Sequence, residues 1–278
     1  MKAAIIFVFS FSVALASFPF LPPMTPDLQA AVDRDAATPR VGYCNQPQLV
    51  NCQKEFNAVL GIADTADWDR PEALALALNQ IFLTGVQGMI NICNARQQFY
   101  YCLQPNYDYC MSLPFWVSLQ YSPNDAYMYT AIMNQLEFMC GGGMQVGFNI
   151  YPCLMAAMSQ TQMSPELLNC INQLTGNITV VPPYSCVYEQ NFLNCWEQAY
   201  EDICMKIDQA TANQAGWYIC ETTRVAYNYG QTCPDLRCYV YPVNKKLEAG
   251  QQNTGFLDVA HDIGEAEKTA PREKKEEA

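Results

Sequence analysis

A chain of 278 residues carries 15 basic and 27 acidic residues, a formal net charge of −12, and half of its residues are hydrophobic. That balance repels phosphate backbones and anionic lipid, so nucleic-acid and membrane-surface roles are excluded in favour of basic partners or divalent cations. Fourteen cysteines lie between Cys44 and Cys238 with no histidine among them and no Cys-x-x-Cys pair. Zinc sites, thiol redox motifs and Cys–His or Ser–His–Asp machinery therefore lack their parts.

Met1 and Lys2 open a short basic region, an apolar run follows from Ala3 to Val13, and Ala14-Leu15-Ala16 places small residues at a cleavage site. Residues 1–16 read as a secretory signal peptide, the run being too short to span a bilayer core of about 30 Å. Secretion brings the thiols into an oxidising compartment, and their even count predicts up to seven disulfides. Residues 17–43 hold Pro19, Pro22, Pro23 and Pro26 and no cysteine, and are expected to form a flexible N-terminal segment.

Helix signals recur beyond that point. Pro47 starts a segment that Gly61 ends, with Leu49, Val50, Phe56, Val59 and Leu60 as apolar members. The uncharged stretch 73–95 contains five amides, which are costly in lipid, so it reads as a buried helix and not a membrane span. Ser122-Pro123-Asn124-Asp125 has the form of a capping box, and Gly141-Gly142-Gly143 closes that helix. Pro165 opens another that Gly176 is expected to terminate. Phe192, Cys195, Trp196, Tyr200, Ile203, Cys204 and Ile207 fall at spacings of three and four, one face of a long helix, with Glu189, Glu197, Glu201 and Asp208 placed off that stripe. Only 178–181 has a strand-like run of β-branched residues. The fold class is all-α.

The cysteine spacing repeats. Cys93, Cys102 and Cys110 match Cys186, Cys195 and Cys204; Cys140 and Cys153 match Cys220 and Cys233; Cys170 and Cys238 close the sets. Cys44 and Cys52 remain as an N-terminal pair. This predicts two related six-cysteine units: a helical unit over 44–175 including that pair, a linker at 176–184, a second unit at 185–240 and a charged disordered tail at 241–278. If the units are true repeats, Cys93, Cys102 and Cys110 pair with Cys140, Cys153 and Cys170 in the order that Cys186, Cys195 and Cys204 pair with Cys220, Cys233 and Cys238. Cysteines nine apart on one helix are roughly 13 Å apart, beyond disulfide reach, so neither Cys186–Cys195 nor Cys195–Cys204 forms. Asn177-Ile178-Thr179 is the chain's single N-glycosylation sequon and makes Asn177 a glycan acceptor.

Candidate chemistry is sparse. The one histidine, His261, lies in the tail. Asp64, Asp67, Asp69 and Glu72 crowd one short stretch and are a weak calcium candidate, with helix capping ahead of Pro71 as the plainer reading. Seventeen tyrosines and twelve methionines suit core filling first, a pocket for an apolar ligand second and an assembly surface third. No residue set points to catalysis or to a cofactor, so the chain reads as non-enzymatic.

The paired cysteine runs followed by Cys140-x12-Cys153 and Cys220-x12-Cys233 resemble the secreted helical domains of the nematode chondroitin proteoglycan 4 family. That resemblance, over residues 93–238, implies an extracellular or eggshell-matrix role. No serine here is followed by glycine, so a glycosaminoglycan attachment site of that form is absent. Taken together, the expectation is a secreted, disulfide-stabilised structural or interaction protein of the extracellular matrix. A helical carrier of a small apolar ligand is the alternative, and a peptide precursor cut at Lys245-Lys246 and Lys274-Lys275 comes third.

Overall fold

Proline opens four of the helices and occupies the second helical position in two more, where its missing N–H leaves no hydrogen bond unmade. The computed structural model describes residues 24–36, 44–158, 165–180, 184–227 and 233–239. Among them are eleven helices and no strand, so the chain is all-α. They are α1 (Pro26–Ala36), α2 (Gln46–Leu60), α3 (Pro71–Phe82), α4 (Val86–Leu103), α5 (Tyr107–Cys110), α6 (Leu113–Ser118), α7 (Pro123–Cys140), α8 (Met144–Met158), α9 (Pro165–Val180), α10 (Ser185–Cys204) and α11 (Gln209–Tyr227). The signal peptide expected at 1–16 and the charged tail expected at 241–278, with its two dibasic pairs and His261, lie outside the described residues.

Several boundaries differ from expectation for local reasons. Residues 17–43 contain a helix: Thr25 caps α1 by accepting from the Leu28 N–H at 3.3 Å, and Leu28 and Ala31 are buried. The stretch 73–95 is two helices instead of one. Gly85, at φ 122°, turns the chain between α3 and α4, and Gly88 then lies so close to the Ile81 carbonyl that a Cβ there would sit 2.0 Å from its oxygen. Gly176 does not end α9, which runs on through Val180, so the run at 178–181 is helical as far as it is described and residues 176–180 of the expected linker belong to that helix. Gly61 does end α2, in the left-handed conformation at φ 65°. Among the described residues no helix is long and apolar enough to cross a membrane.

All fourteen cysteines are paired: Cys44–Cys110, Cys52–Cys102, Cys93–Cys140, Cys153–Cys204, Cys170–Cys195, Cys186–Cys233 and Cys220–Cys238. The bonds excluded by helix length, Cys186–Cys195 and Cys195–Cys204, do not form. The expected order of pairing is corrected. Cys102 and Cys110 reach back to Cys52 and Cys44, and Cys153 and Cys170 reach forward to Cys204 and Cys195. A repeat emerges nonetheless, in a different frame. Cys44, Cys52, Cys93, Cys102, Cys110 and Cys140 pair first-to-fifth, second-to-fourth and third-to-sixth. Cys153, Cys170, Cys186, Cys195, Cys204 and Cys233 pair in the same way, with Cys220–Cys238 added to the second set. Its boundary falls between Cys140 and Cys153.

Helix geometry explains the shared spacing. Nine residues make about two and a half turns, so cysteines nine apart face opposite sides of one helix. On α4, Cys102 ties down α2 through Cys52 while Cys93 ties down the end of α7 through Cys140. On α10, Cys195 holds α9 through Cys170, and Cys204, two such steps from Cys186 and back on its side, holds α8 through Cys153. The central helix of each repeat is therefore clamped from both flanks. Its aromatic residues pack between them: Phe192 stacks on Trp196 at 5.2 Å, and Trp196 meets Tyr200 at 5.7 Å. The stripe stops at Cys204, since Ile207 lies beyond the helix and is exposed.

Candidate functional site

Between α2 and α3 the turn at 61–70 is held from beneath by buried amides. Asn57 on α2 donates its side-chain amide to the carbonyls of Ala63 and Ala66 at 2.9 and 3.1 Å. Gln53, one turn earlier, donates to Asn57 Oδ1 at 2.9 Å and accepts the Tyr129 hydroxyl from α7 at 2.7 Å. The turn is fixed on its outer side as well, the Asp69 N–H donating to Asp67 Oδ1 at 2.9 Å and Arg70 Nε to the Thr65 carbonyl at 3.1 Å.

So held, the turn delivers Trp68 to an aromatic group on α6 and α7. Its ring lies 5.2 Å from Trp116 and edge-on to Tyr129 at 6.0 Å, and its indole N–H donates to the Tyr121 hydroxyl at 3.2 Å. Trp116 in turn meets Phe115, Tyr121 and Tyr129 at 5.0, 5.6 and 5.3 Å. Beside this group opens a cleft of about 230 Å³ lined by Gln46, Leu49, Val50, Trp68, Phe115, Trp116, Leu119 and Tyr121. Of the apolar members of α2, Leu49 and Phe56 are buried whereas Val50 and Val59 are exposed, so the helix buries a narrower stripe than its apolar residues suggest.

Of the acidic candidates, Asp64, Asp69 and Glu72 are exposed and Asp67 is half-buried. Burial raises the Asp67 carboxyl above the usual carboxylate range, opposed by the hydrogen bond from the Asp69 N–H. Glu72 lies in the first turn of α3, where a carboxylate meets the positive helix end. These four do not bring three ligand atoms together. Among the described residues only Cys186, Glu189 and Cys233 do so, within 4.8 Å. The two sulfurs are joined to each other, so neither is a thiolate free to ligate a metal. Glu189, expected off the buried stripe, is 2% exposed. It lies three residues after Cys186 and three before Phe192, on the face α10 buries, and α10 is covered on both sides. Its charge adds to burial in holding the Tyr127 and Tyr227 hydroxyls protonated.

Tyrosine and methionine mostly fill the core. Tyr127, Tyr129, Tyr218 and Tyr227 and Met89, Met133 and Met139 are buried, whereas Tyr101 and Tyr109 are exposed. Arg96 packs over the rings of Tyr100 and Tyr107 at 5.3 and 5.5 Å and pairs with Glu137 at 3.1 Å. Burial pushes the Tyr107 hydroxyl up to about 12. Asn177 is exposed on α9, open to a glycan.

The cleft was not read from sequence because its lining comes from three places far apart in the chain. The signal that existed was local: two tryptophans, at 68 and 116, each beside a turn. No protein-family model, no curated protein and no solved structure matches this chain.

Proposed function

We propose that the protein is a secreted, non-catalytic structural or interaction component of an extracellular matrix. The observation that carries this reading is the duplicated three-bridge clamp. Each repeat fixes its central helix covalently on two flanks. A chain of this length buries most of its apolar surface without such help, so cross-linking beyond folding need suits a harsh, oxidising and protease-rich setting. An apolar leader at 3–13, an exposed sequon at Asn177 and the spacing-level resemblance to chondroitin proteoglycan 4 domains support secretion and matrix residence. Net charge favours basic partners or divalent cations. The carrier alternative gains less from the interior, which tyrosine and methionine fill, and the cleft of about 230 Å³ is smaller than the roughly 300–1,000 Å³ typical of sites that enclose a drug-sized ligand.

The test is native purification of the secreted protein from its source tissue, followed by identification of what accompanies it. Co-purifying matrix proteins and an occupied Asn177 glycan support the proposal. An apolar small molecule bound near one per chain, with no protein partner, replaces it with the carrier.

A further inference from the structure

We propose that the cleft between α2, α6 and the 61–70 turn is a socket for a single arginine side chain presented by a basic segment of a partner protein. This rests on the interaction role above and names the chemistry of its partner.

Size and openness come first. A surface cleft of about 230 Å³ is too small to engulf a lipid but is of the kind that an anchoring side chain fills at a protein interface. Its lining selects among side chains. Trp68, Phe115 and Tyr121 present aromatic surface and Val50 and Leu119 aliphatic edges, Trp116 and Leu49 lie buried beneath them, and polar atoms, among them the Gln46 amide, share the exposed lining. A guanidinium is planar and weakly hydrated and stacks on aromatic faces, while the compact lysine ammonium holds its water more tightly.

Charge then fixes the sign. Asp67 and Asp69 flank Trp68 directly, and Asp64 lies in the same turn. On α2, α6 and the 61–70 turn the carboxylates are Glu55, Asp64, Asp67 and Asp69, against Lys54 and Arg70. Arg70 is engaged with the Thr65 carbonyl. The acidic field reaches the aromatic group, since the Asp67 charge adds to burial in holding the Tyr129 hydroxyl protonated, and Tyr129 touches both tryptophans. The buried chain from Tyr129 through Gln53 and Asn57 to the turn preorganises this edge, so little ordering is left for binding to supply.

The full secreted chain is titrated with a capped glycine–alanine peptide holding one central arginine, by calorimetry and tryptophan fluorescence. Parallel titrations use the lysine and citrulline peptides and free methylguanidinium. Saturable binding with a dissociation constant near or below about 1 mM is expected for the arginine peptide, weakening as salt rises. The lysine peptide is expected to bind several-fold more weakly and the citrulline peptide not measurably. Asp69→Asn, at an exposed position, weakens binding about twofold to fivefold. Leu119→Trp, on the exposed rim, fills the cleft and abolishes binding while the thermal transition is kept. Equal affinity for citrulline overturns the charge argument, and methylguanidinium binding as tightly as the peptide assigns the cleft to a free cation instead. Affinity unmoved by Leu119→Trp removes the cleft as the site. Absence of binding to every probe, with matrix partners still co-purifying, sinks the socket and leaves the interaction role standing.

Discussion

The Tyr129 hydroxyl donates to Gln53 Oε1 at 2.7 Å, joining α7 to α2 where neither residue is more than 2% exposed. Gln53 hands the connection to Asn57, and Asn57 holds the turn that carries Trp68. A single line of buried polar groups thus connects the interior to the rim of the cleft. In a dry interior, removing one member strands its neighbours, at about 1–3 kcal/mol per unsatisfied group.

Gln53→Ala is accordingly predicted to destabilise by about 2–4 kcal/mol, because it orphans both the Tyr129 hydroxyl and Asn57 Oδ1. Tyr129→Phe orphans only Gln53 Oε1 and costs less. Denaturant unfolding of both single variants and the double variant gives the coupling, expected at about 0.5–3 kcal/mol. Additive effects would show that the two side chains act independently.

Gly88→Ala is predicted to destabilise by about 1–3 kcal/mol, since the new Cβ meets the Ile81 carbonyl of the preceding helix and the α3–α4 corner must open. Gly142→Ala is the control: a Cβ there meets nothing within 4 Å. Thermal unfolding that separates the two variants by several degrees checks the point; equal melting would mean that the corner yields freely.

Among the bridges, removing Cys52–Cys102 by paired alanines is predicted to cost roughly 1 kcal/mol more than removing Cys220–Cys238. The first closes 50 residues and the second 18, and the constraint on the unfolded chain grows with the logarithm of that length. Peptide mapping without reduction is the prior check, and it is expected to recover the same three-bridge order in both repeats.

Acidity should act through Glu201 and Asp208 with opposite signs. Burial, and then Asp202, raises the Glu201 carboxyl, so ionising it disfavours the fold, and stability is lost as pH climbs from the unfolded value of about 4.3 through the raised one. Glu201→Gln is predicted to be the more stable protein at pH 7, by less than about 1 kcal/mol given its partial exposure. Hydrogen bonds from Thr211 lower the Asp208 carboxyl, so its stabilisation is present above the unfolded value of about 3.9 and is lost as pH falls through the lowered one. Melting temperatures from pH 3 to 8 for Glu201→Gln, Asp208→Asn and the parent separate the two, and parallel curves would refute both assignments.

Helix class, the starts of α2, α3, α7, α9 and α10 and the bonds that geometry forbids were legible in the sequence, because proline, capping serine and three-to-four spacing act over one or two turns. Glu189 was misplaced by judging its type over its position: three residues from Cys186 and from Phe192, it belongs to the buried face. The cysteine frame was misjudged for a different reason. Cys153 and Cys170 resemble closing cysteines by spacing, yet they pair across the chain to α10, which only the docking of α8 and α9 decides. The cleft likewise depends on tertiary contact between α2, α6 and a turn, and local pattern carries no record of that.

The crossed bridges have a mechanical consequence. Under tension applied at Cys44 and Cys238, the load enters α4 by two equally short covalent routes, through Cys52–Cys102 and through Cys44–Cys110, then runs back to Cys93, across to Cys140, on through Cys153 to Cys204 and from Cys220 to Cys238. Most of the intervening backbone is shunted and bears no load. The oxidised protein can therefore lengthen only by the backbone that remains on this route, whereas reduction frees the whole of the chain between Cys44 and Cys238 to extend.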